Sequence, residues 1–358
     1  MKRINKLPEN LIPLGPPFIT VDEEKAVKEV LRSGILGLGP YLTKFEESVA
    51  KFIGTKYAVA VSSGTAGLHL CAMTLGLKPG DEVITSPFSF VASANVILFC
   101  GAKPVLVDID PETLNIDPKK IEAAITKKTK AILPVHIFGM PIDYDPIVKI
   151  AKKYKLKIIE DACESLGSVY KKKMVGNFSN LSVFAFYPNK QITTGEGGVI
   201  VTDSKQEYLL LKSLCNQGRS DSGQWLAHDK LGYNYRMDEM SAAVGYMQMK
   251  KIKYILNSRK KAANYYKTLR DDDEKYKRSW QAFIVLIDKS ISRNKVMEIL
   301  NKKKIQAKPY LPSIHLQPYW KKLTGFSGKL PISEATSSSS LAIPLYTDMS
   351  QSVIKKVC

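Results

Sequence analysis

The sequence predicts an α/β protein: a large domain with a mostly parallel sheet flanked by helices over residues 1–240, followed by a smaller α+β domain over 241–358. Three observations lead there. Short apolar runs of β type at 57–61, 82–85, 104–107, 131–135 and 156–159 alternate with helical stretches such as 117–125 and 145–154. Runs that are apolar throughout, rather than at every second residue, suit strands covered on both faces, which is the habit of parallel sheets. After Asp203 the strands thin out and longer helical and polar segments take over. A chain of 358 residues is long enough to bury one large core and a smaller one.

Composition narrows the class. Hydrophobic residues make up 44% and charged residues 24%, the profile of an ordinary globular protein. The net charge of +19 raises nucleic acid and membrane surfaces as partners. The lysines, however, lie in short scattered clusters (119–120, 171–173, 250–251, 302–304), with no basic arm and no zinc-knuckle or RNP-type pattern. We expect a solvated basic surface that helps attract anionic substrates, and neither nucleic acid nor membrane as partner. The five cysteines show no CxxC spacing and an odd one remains, which favours reduced thiols and a cytoplasmic setting. The four histidines are far apart and form no metal signature. The first ten residues lack the apolar run of a signal peptide. The run 90–107 is interrupted by Ser93, Asn95 and Lys103, short of the roughly 20 apolar residues that a membrane span needs.

Taken in order, 22–32 has helical spacing, the Gly-rich stretch 34–40 breaks it, and 42–52 is a second amphipathic helix. Ser62-Ser63-Gly64-Thr65-Ala66-Gly67 follows the first strand and leads into a helix. It is either a simple N-cap or an anion site, since helix N–H groups and small residues let a phosphate approach. Thr85 to Ser93 marks the next strand end, with Phe88 assigned to the core. The stretch 156–204 holds three β-type runs, at 156–159, 181–186 and 198–202. The first ends in Glu160-Asp161 and the second runs into Tyr187-Pro188-Asn189-Lys190; a Gly-dense turn, 193–198, precedes the third. An acid at one strand end and a lysine past the next suit an aldehyde cofactor held as a lysine Schiff base, with a carboxylate facing its pyridinium nitrogen. Beyond it, 205–215 is helical, 216–229 polar and loop-like, and a helical pattern follows 231–237 as far as about Leu269. The remainder reads as a strand at 280–287, a helix at 293–301 and an extended segment at 308–315.

EDACESLG, FAFYPNK and TTGEGG, in that order and spacing, resemble the DegT/DnrJ/StrS family of aminotransferases that use pyridoxal 5'-phosphate (PLP, cycling with PMP), and the likeness runs from about Ile12 to Leu345. The resemblance implies a fold-type-I enzyme working as a homodimer with shared active sites. Lys190 matches the Schiff-base lysine and Asp161 the partner of the pyridine nitrogen. Gly64 and Thr65 match phosphate contacts, Phe90 the ring stacked on the pyridine, and Asn234 a phosphate contact made in the neighbouring subunit's site. Tyr187 and His315 fall in segments near the substrate; on its own residues His315 reads equally well as a surface histidine. Two positions depart from the pattern. Ala185 replaces a phosphate-binding serine, and Glu164 replaces a glutamine or histidine beside the cofactor's phenolic oxygen, where a carboxylate would repel a phenolate unless protonated or turned away.

The implied reaction moves the amino group of an amino acid, L-glutamate, to the ketone of a nucleotide-diphosphate keto sugar, releasing 2-oxoglutarate and giving an amino sugar for surface polysaccharide or glycan synthesis. Two rivals stand beside it. A sugar dehydrase of the same fold would carry histidine where Lys190 stands. A non-catalytic regulator would keep the fold without the bound cofactor.

Overall fold

The computed structural model describes residues 2–220, 222, 224–266 and 274–358. The chain opens with helices α1 (Val21–Ser33) and α2 (Pro40–Ile53). Thr20 and Glu23 cap α1 reciprocally, and Gly34 ends it at φ 72°, a backbone that glycine adopts without a Cβ penalty. The Gly-rich stretch between the two helices is held by Glu239, whose buried carboxylate accepts N–H bonds from Gly39 (3.0 Å), Tyr41 (2.9 Å) and Leu42 (2.7 Å). These are the donors that the start of α2 leaves unpaired.

Strand and helix then alternate: β1 (Tyr57–Val61), α3 (Gly64–Thr74), β2 (Glu82–Thr85), α4 (Ala92–Phe99), β3 (Lys103–Leu106), α5 (Pro118–Ile121), β4 (Thr129–Leu133), α6 (Tyr144–Tyr154) and β5 (Lys157–Asp161). A two-strand hairpin, β6 (Val169–Tyr170) and β7 (Lys173–Met174), precedes β8 (Leu181–Ala185) and β9 (Gly198–Thr202). The main sheet has seven strands in the order β1-β9-β8-β5-β4-β2-β3. It is parallel except for β9, which runs opposite to both of its neighbours. Both faces are covered, as the continuous apolar runs predict. Ala58, Ala60, Phe184 and Val201 point to a core shared with Phe45 and Val49 of α2 and Ile147 of α6. Val59, Val61, Val183 and Ile200 point the other way, to Leu68 and Leu70 of α3 and Val96 of α4.

The chain continues through α7 (Lys205–Cys215), α8 (Glu239–Lys250), α9 (Ile252–Ala263), β10 (Tyr276–Lys277), β11 (Phe283–Leu286), α10 (Arg293–Lys302), β12 (Lys308–Pro309), α11 (Pro318–Thr324), α12 (Pro331–Ser339), β13 (Ser340–Ile343) and α13 (Gln351–Val357). The helical pattern expected to reach Leu269 divides at Lys251, which turns its amine to Glu23 (2.6 Å); Leu269 itself lies outside the described residues. Strands β11, β13 and β12 form a small antiparallel sheet over a core of Trp280, Phe283, Ile305 and Leu345. The C-terminal third also reaches back. Ala243 of α8 packs on Ala26 and Val30 of α1, β10 pairs with β6, and Trp320 and Leu330 pack on Ala94 and Leu106. No helix among the described residues is long and apolar enough to cross a membrane.

Candidate active site

A cavity of about 570 Å³ opens where β2, β4, β5 and β8 end. In a parallel sheet the carboxyl ends of neighbouring strands share one edge, so residues just past them converge although far apart in sequence. Asp161, the last residue of β5, is held by its backbone from both sides. Its N–H donates to Pro134 (3.0 Å), its carbonyl accepts from His136 (3.1 Å), and the next N–H, of Ala162, donates to Val183 of β8 (2.9 Å). Its carboxylate faces the cavity, with Oδ2 accepting from the Ser93 hydroxyl (2.6 Å) and Oδ1 from the N–H of Cys163 (3.2 Å).

Lys190 closes a turn after β8, its N–H donating to the Tyr187 carbonyl (2.9 Å). Its amine enters the same cavity and lies 3.2 Å from Oε1 of Glu164. Glu164 is not turned away from the site. Its Oε2 accepts from the N–H of Phe138 (2.8 Å) and its carbonyl from the Gln191 amide (2.7 Å), so the carboxylate is fixed against the lysine. Burial pulls the Lys190 amine down, but Glu164, helped by Tyr310 and Cys163, outweighs it, and the amine sits above the ordinary lysine range. Burial also pushes the Cys163 thiol well up, with Asp161 adding to the effect.

The far wall is the start of α3. Ser63 caps the helix by accepting from Ala66 (3.0 Å), so it is indeed an N-cap. Gly64 and Thr65 line the cavity in the first turn of the helix, where N–H groups lack an intrahelical acceptor, so the place also suits an anion. Gly64 is required by space: a Cβ there would lie 2.7 Å from the Cβ of Ala185 and 2.9 Å from the Cys163 sulfur. Ala185, at the end of β8, lines the cavity with a methyl group alone. Phe88 is fully buried in the core, while Phe90 lines the cavity with 62% of its surface exposed.

Tyr187 lines the cavity too. His315 does not; it is buried, with Nε2 3.0 Å from Glu334 and its ring against Phe326. Asn234 is exposed, bridges to Asn216 through its backbone, and lies outside the cavity of its own chain. Residues that the sequence did not single out are Ser89, Ser93, Cys163, Asn189 and Tyr310. The serines carried a signal: they stand four apart around Phe90, just past a strand end. Tyr310 and Asn189 also bound a second cavity of about 340 Å³ that contains Gln281, Lys308 and the segment 13–16, so the two spaces adjoin.

The family model described as the DegT/DnrJ/EryC1/StrS aminotransferase family matches residues 17–358. The chain is 35% identical to a GDP-perosamine synthase of Escherichia coli O157:H7, over 97% of this chain and 96% of that protein. It is 34% identical to the spore coat polysaccharide biosynthesis protein SpsC of Bacillus subtilis, over 97% and 95%. Among solved structures it resembles a putative sugar aminotransferase, Spr1654 of Streptococcus pneumoniae, in its PMP form, with a TM-score of 0.92, 28% identity and coverage of 97% and 96%. The PLP form of that protein superposes equally well, at a TM-score of 0.92.

Proposed function

Because the chain belongs to the DegT/DnrJ/EryC1/StrS aminotransferase family, we propose that it moves an amino group from L-glutamate to the ketone of a sugar linked to a nucleotide diphosphate. The cofactor is pyridoxal phosphate, the group carried by the PLP and PMP forms of its structural relative, and the residues present fit it. The cavity offers a lysine amine, an acceptor carboxylate, an exposed aromatic face and a helix N-terminus whose first glycine tolerates no Cβ. Bound there, pyridoxal phosphate supplies an aldehyde for covalent attachment and a protonated pyridine ring that draws electrons from the reacting carbon.

The single observation that carries the reading is the convergence of Asp161 and Lys190 on one cavity from the ends of two adjacent strands. Asp161 would accept a hydrogen bond from the ring N–H and, as an opposite charge beside it, favour the protonated form. Phe90 confines the ring plane. Thr65 and the first N–H groups of α3 take the phosphate, and Ala185 withdraws the family's serine from that task. Lys190 Nζ would anchor the cofactor and, as a free amine, would hold and move the proton at the reacting carbon. Tyr187 lies where an incoming substrate would pass, and the adjoining space with Lys308 suits a substrate that extends well beyond an amino acid and carries negative charge. We assign Asn234 to the neighbouring subunit's site in a homodimer. Its exposure, with Leu231 three residues earlier 82% exposed, supports a covered surface there.

The test combines three measurements. The purified protein should be yellow, and glutamate should bleach the band while 2-oxoglutarate appears. A nucleotide-linked keto sugar from a screened panel should restore it. Borohydride reduction followed by peptide mapping should place the cofactor on Lys190. Attachment at another lysine overturns the assignment, and a colourless protein that takes up no cofactor favours the non-catalytic rival.

A further inference from the structure

We propose that Ser93 is a positioning residue for this reaction, fixing the Asp161 carboxylate toward the cofactor's ring nitrogen, and that Ser89 fixes the direction of the Ser93 hydroxyl. The proposal rests on the reading of Asp161 given above. Ser89, Ser93 and Asp161 are all buried, at 3%, 0% and 5% exposure. The Ser93 oxygen lies 2.6 Å from Asp161 Oδ2, 2.8 Å from the Ser89 oxygen and 3.3 Å from the Phe90 carbonyl.

Proton counting orders this cluster. A serine hydroxyl has one proton to give, and a carboxylate and a carbonyl have none. The shortest contact, to Asp161, takes the Ser93 proton, as expected for a hydroxyl beside a carboxylate. Ser93 can then meet the Ser89 hydroxyl only as an acceptor, so Ser89 donates to it. The result is a one-way chain from Ser89 to Ser93 to Asp161, with no alternative direction that leaves Oδ2 its Ser93 donor. Because Oδ1 is occupied by the Cys163 N–H, the two donors hold the carboxylate plane at both ends.

The chain also ties two cofactor contacts together. Phe90 sits between the two serines in sequence, and the Ser93 N–H donates to the Phe90 carbonyl (3.3 Å). The segment that presents the aromatic face is thus the one that orients the carboxylate. Without the Ser93 hydroxyl the carboxylate keeps one donor and gains freedom to rotate, which weakens its grip on the ring nitrogen without emptying the site.

The test loads Ser93→Ala, Ser89→Ala and, as a control, Asp161→Asn with PLP labelled with ¹⁵N in the ring. It records the ring-nitrogen chemical shift, kcat, KM and the melting temperature of the cofactor-free protein. For Ser93→Ala we expect kcat to fall about ten- to a hundredfold, the worth of a hydrogen bond to a charged group. KM should change less than about threefold, and the nitrogen signal should move part of the way toward that of Asp161→Asn. Ser89→Ala should show the same changes at smaller size. An unchanged nitrogen signal in Ser93→Ala overturns the proposal, as does a loss of kcat matched only by a loss of melting temperature. If Ser93→Ala does not fold, Ser89→Ala decides on the same two readouts. An unmoved signal in Asp161→Asn overturns the reading of Asp161 itself, a distinguishable failure.

Discussion

Replacing Glu164 by glutamine should destabilise the cofactor-free protein, and the structure sets the size. The Glu164 and Lys190 side chains are 8% and 14% exposed, with 3.2 Å between the charged atoms. Glutamine can still accept the Phe138 N–H through its oxygen, but its NH2 group then faces the lysine ammonium, donor against donor. Removing one partner of a buried ion pair costs about 3–5 kcal/mol, because the other charge stays buried and uncompensated. The partial exposure of Lys190 places this case near the lower figure. At about 2.1 cal/mol/K per residue, a chain of 358 residues unfolds with an entropy near 0.75 kcal/mol/K, so 3 kcal/mol lowers Tm by about 4 °C. Thermal unfolding of cofactor-free wild type, Glu164→Gln, Lys190→Met and the double variant measures it, with the double variant expected to be no worse than Glu164→Gln. The pH dependence has a definite sign. Lys190 is raised in the folded state, so the stabilisation is complete below the unfolded lysine value of about 10.4 and is lost as pH rises through the folded value. The wild-type advantage should therefore be equal at pH 7 and pH 9 and shrink only in stronger alkali. A Tm within about 1 °C of wild type, or strictly additive single and double variants, would refute the pairing.

Other expectations concern the cofactor and the second subunit. Asp161→Asn should keep the fold and bound cofactor but slow transamination by orders of magnitude, a loss of several kcal/mol of transition-state stabilisation; near-normal turnover with cofactor in place removes Asp161 from the mechanism. Gly64→Ala forces a Cβ to within 2.7 Å of Ala185 and 2.9 Å of the Cys163 sulfur. Overpacking of that kind costs about 1–3 kcal/mol, and equilibrium dialysis should show cofactor affinity roughly tenfold weaker, a change of about 1.4 kcal/mol; unaltered affinity would mean that the start of α3 is no phosphate cradle. Mixing Asn234→Ala with Lys190→Ala protein should partly restore activity, because heterodimers would hold one intact site and one carrying both lesions. With subunit exchange verified and Asn234→Ala alone impaired, no recovery would place Asn234 in its own subunit's site.

Much of this protein was legible in the sequence because the relevant physics is local. Ala58 to Val61 alternate between two cores, and a short, valine-rich run with no polar face suits a strand covered on both sides. The acid ending one such run and the lysine past the next pointed to one site, and Asp161 and Lys190 line one cavity. Helix α4 was hidden inside the apolar run 90–107: Ala92, Ser93, Ala94, Val96 and Ile97 are all buried, so the segment lacks the polar stripe that betrays a helix. Other features depended on partners chosen across the chain. The place of β9 between β1 and β8 is written in no neighbouring residue, since the pairing joins Tyr57 to Thr202. His315 looked like a surface or substrate histidine, and only the packing of Phe326 and the approach of Glu334 bury it. Ser93 lies 68 residues from Asp161, and nothing local to either announces their contact. Glu164 shows the limit most plainly: sequence identified a carboxylate in an unexpected place, with protonation or rotation as its ways out. The Phe138 N–H, delivered by the segment after β4, removes rotation by holding Oε2 and aiming Oε1 at Lys190. Which residues meet is decided by the burial of whole strands and helices, which brings polar groups together wherever the packed backbone delivers them and leaves each to find its partner there.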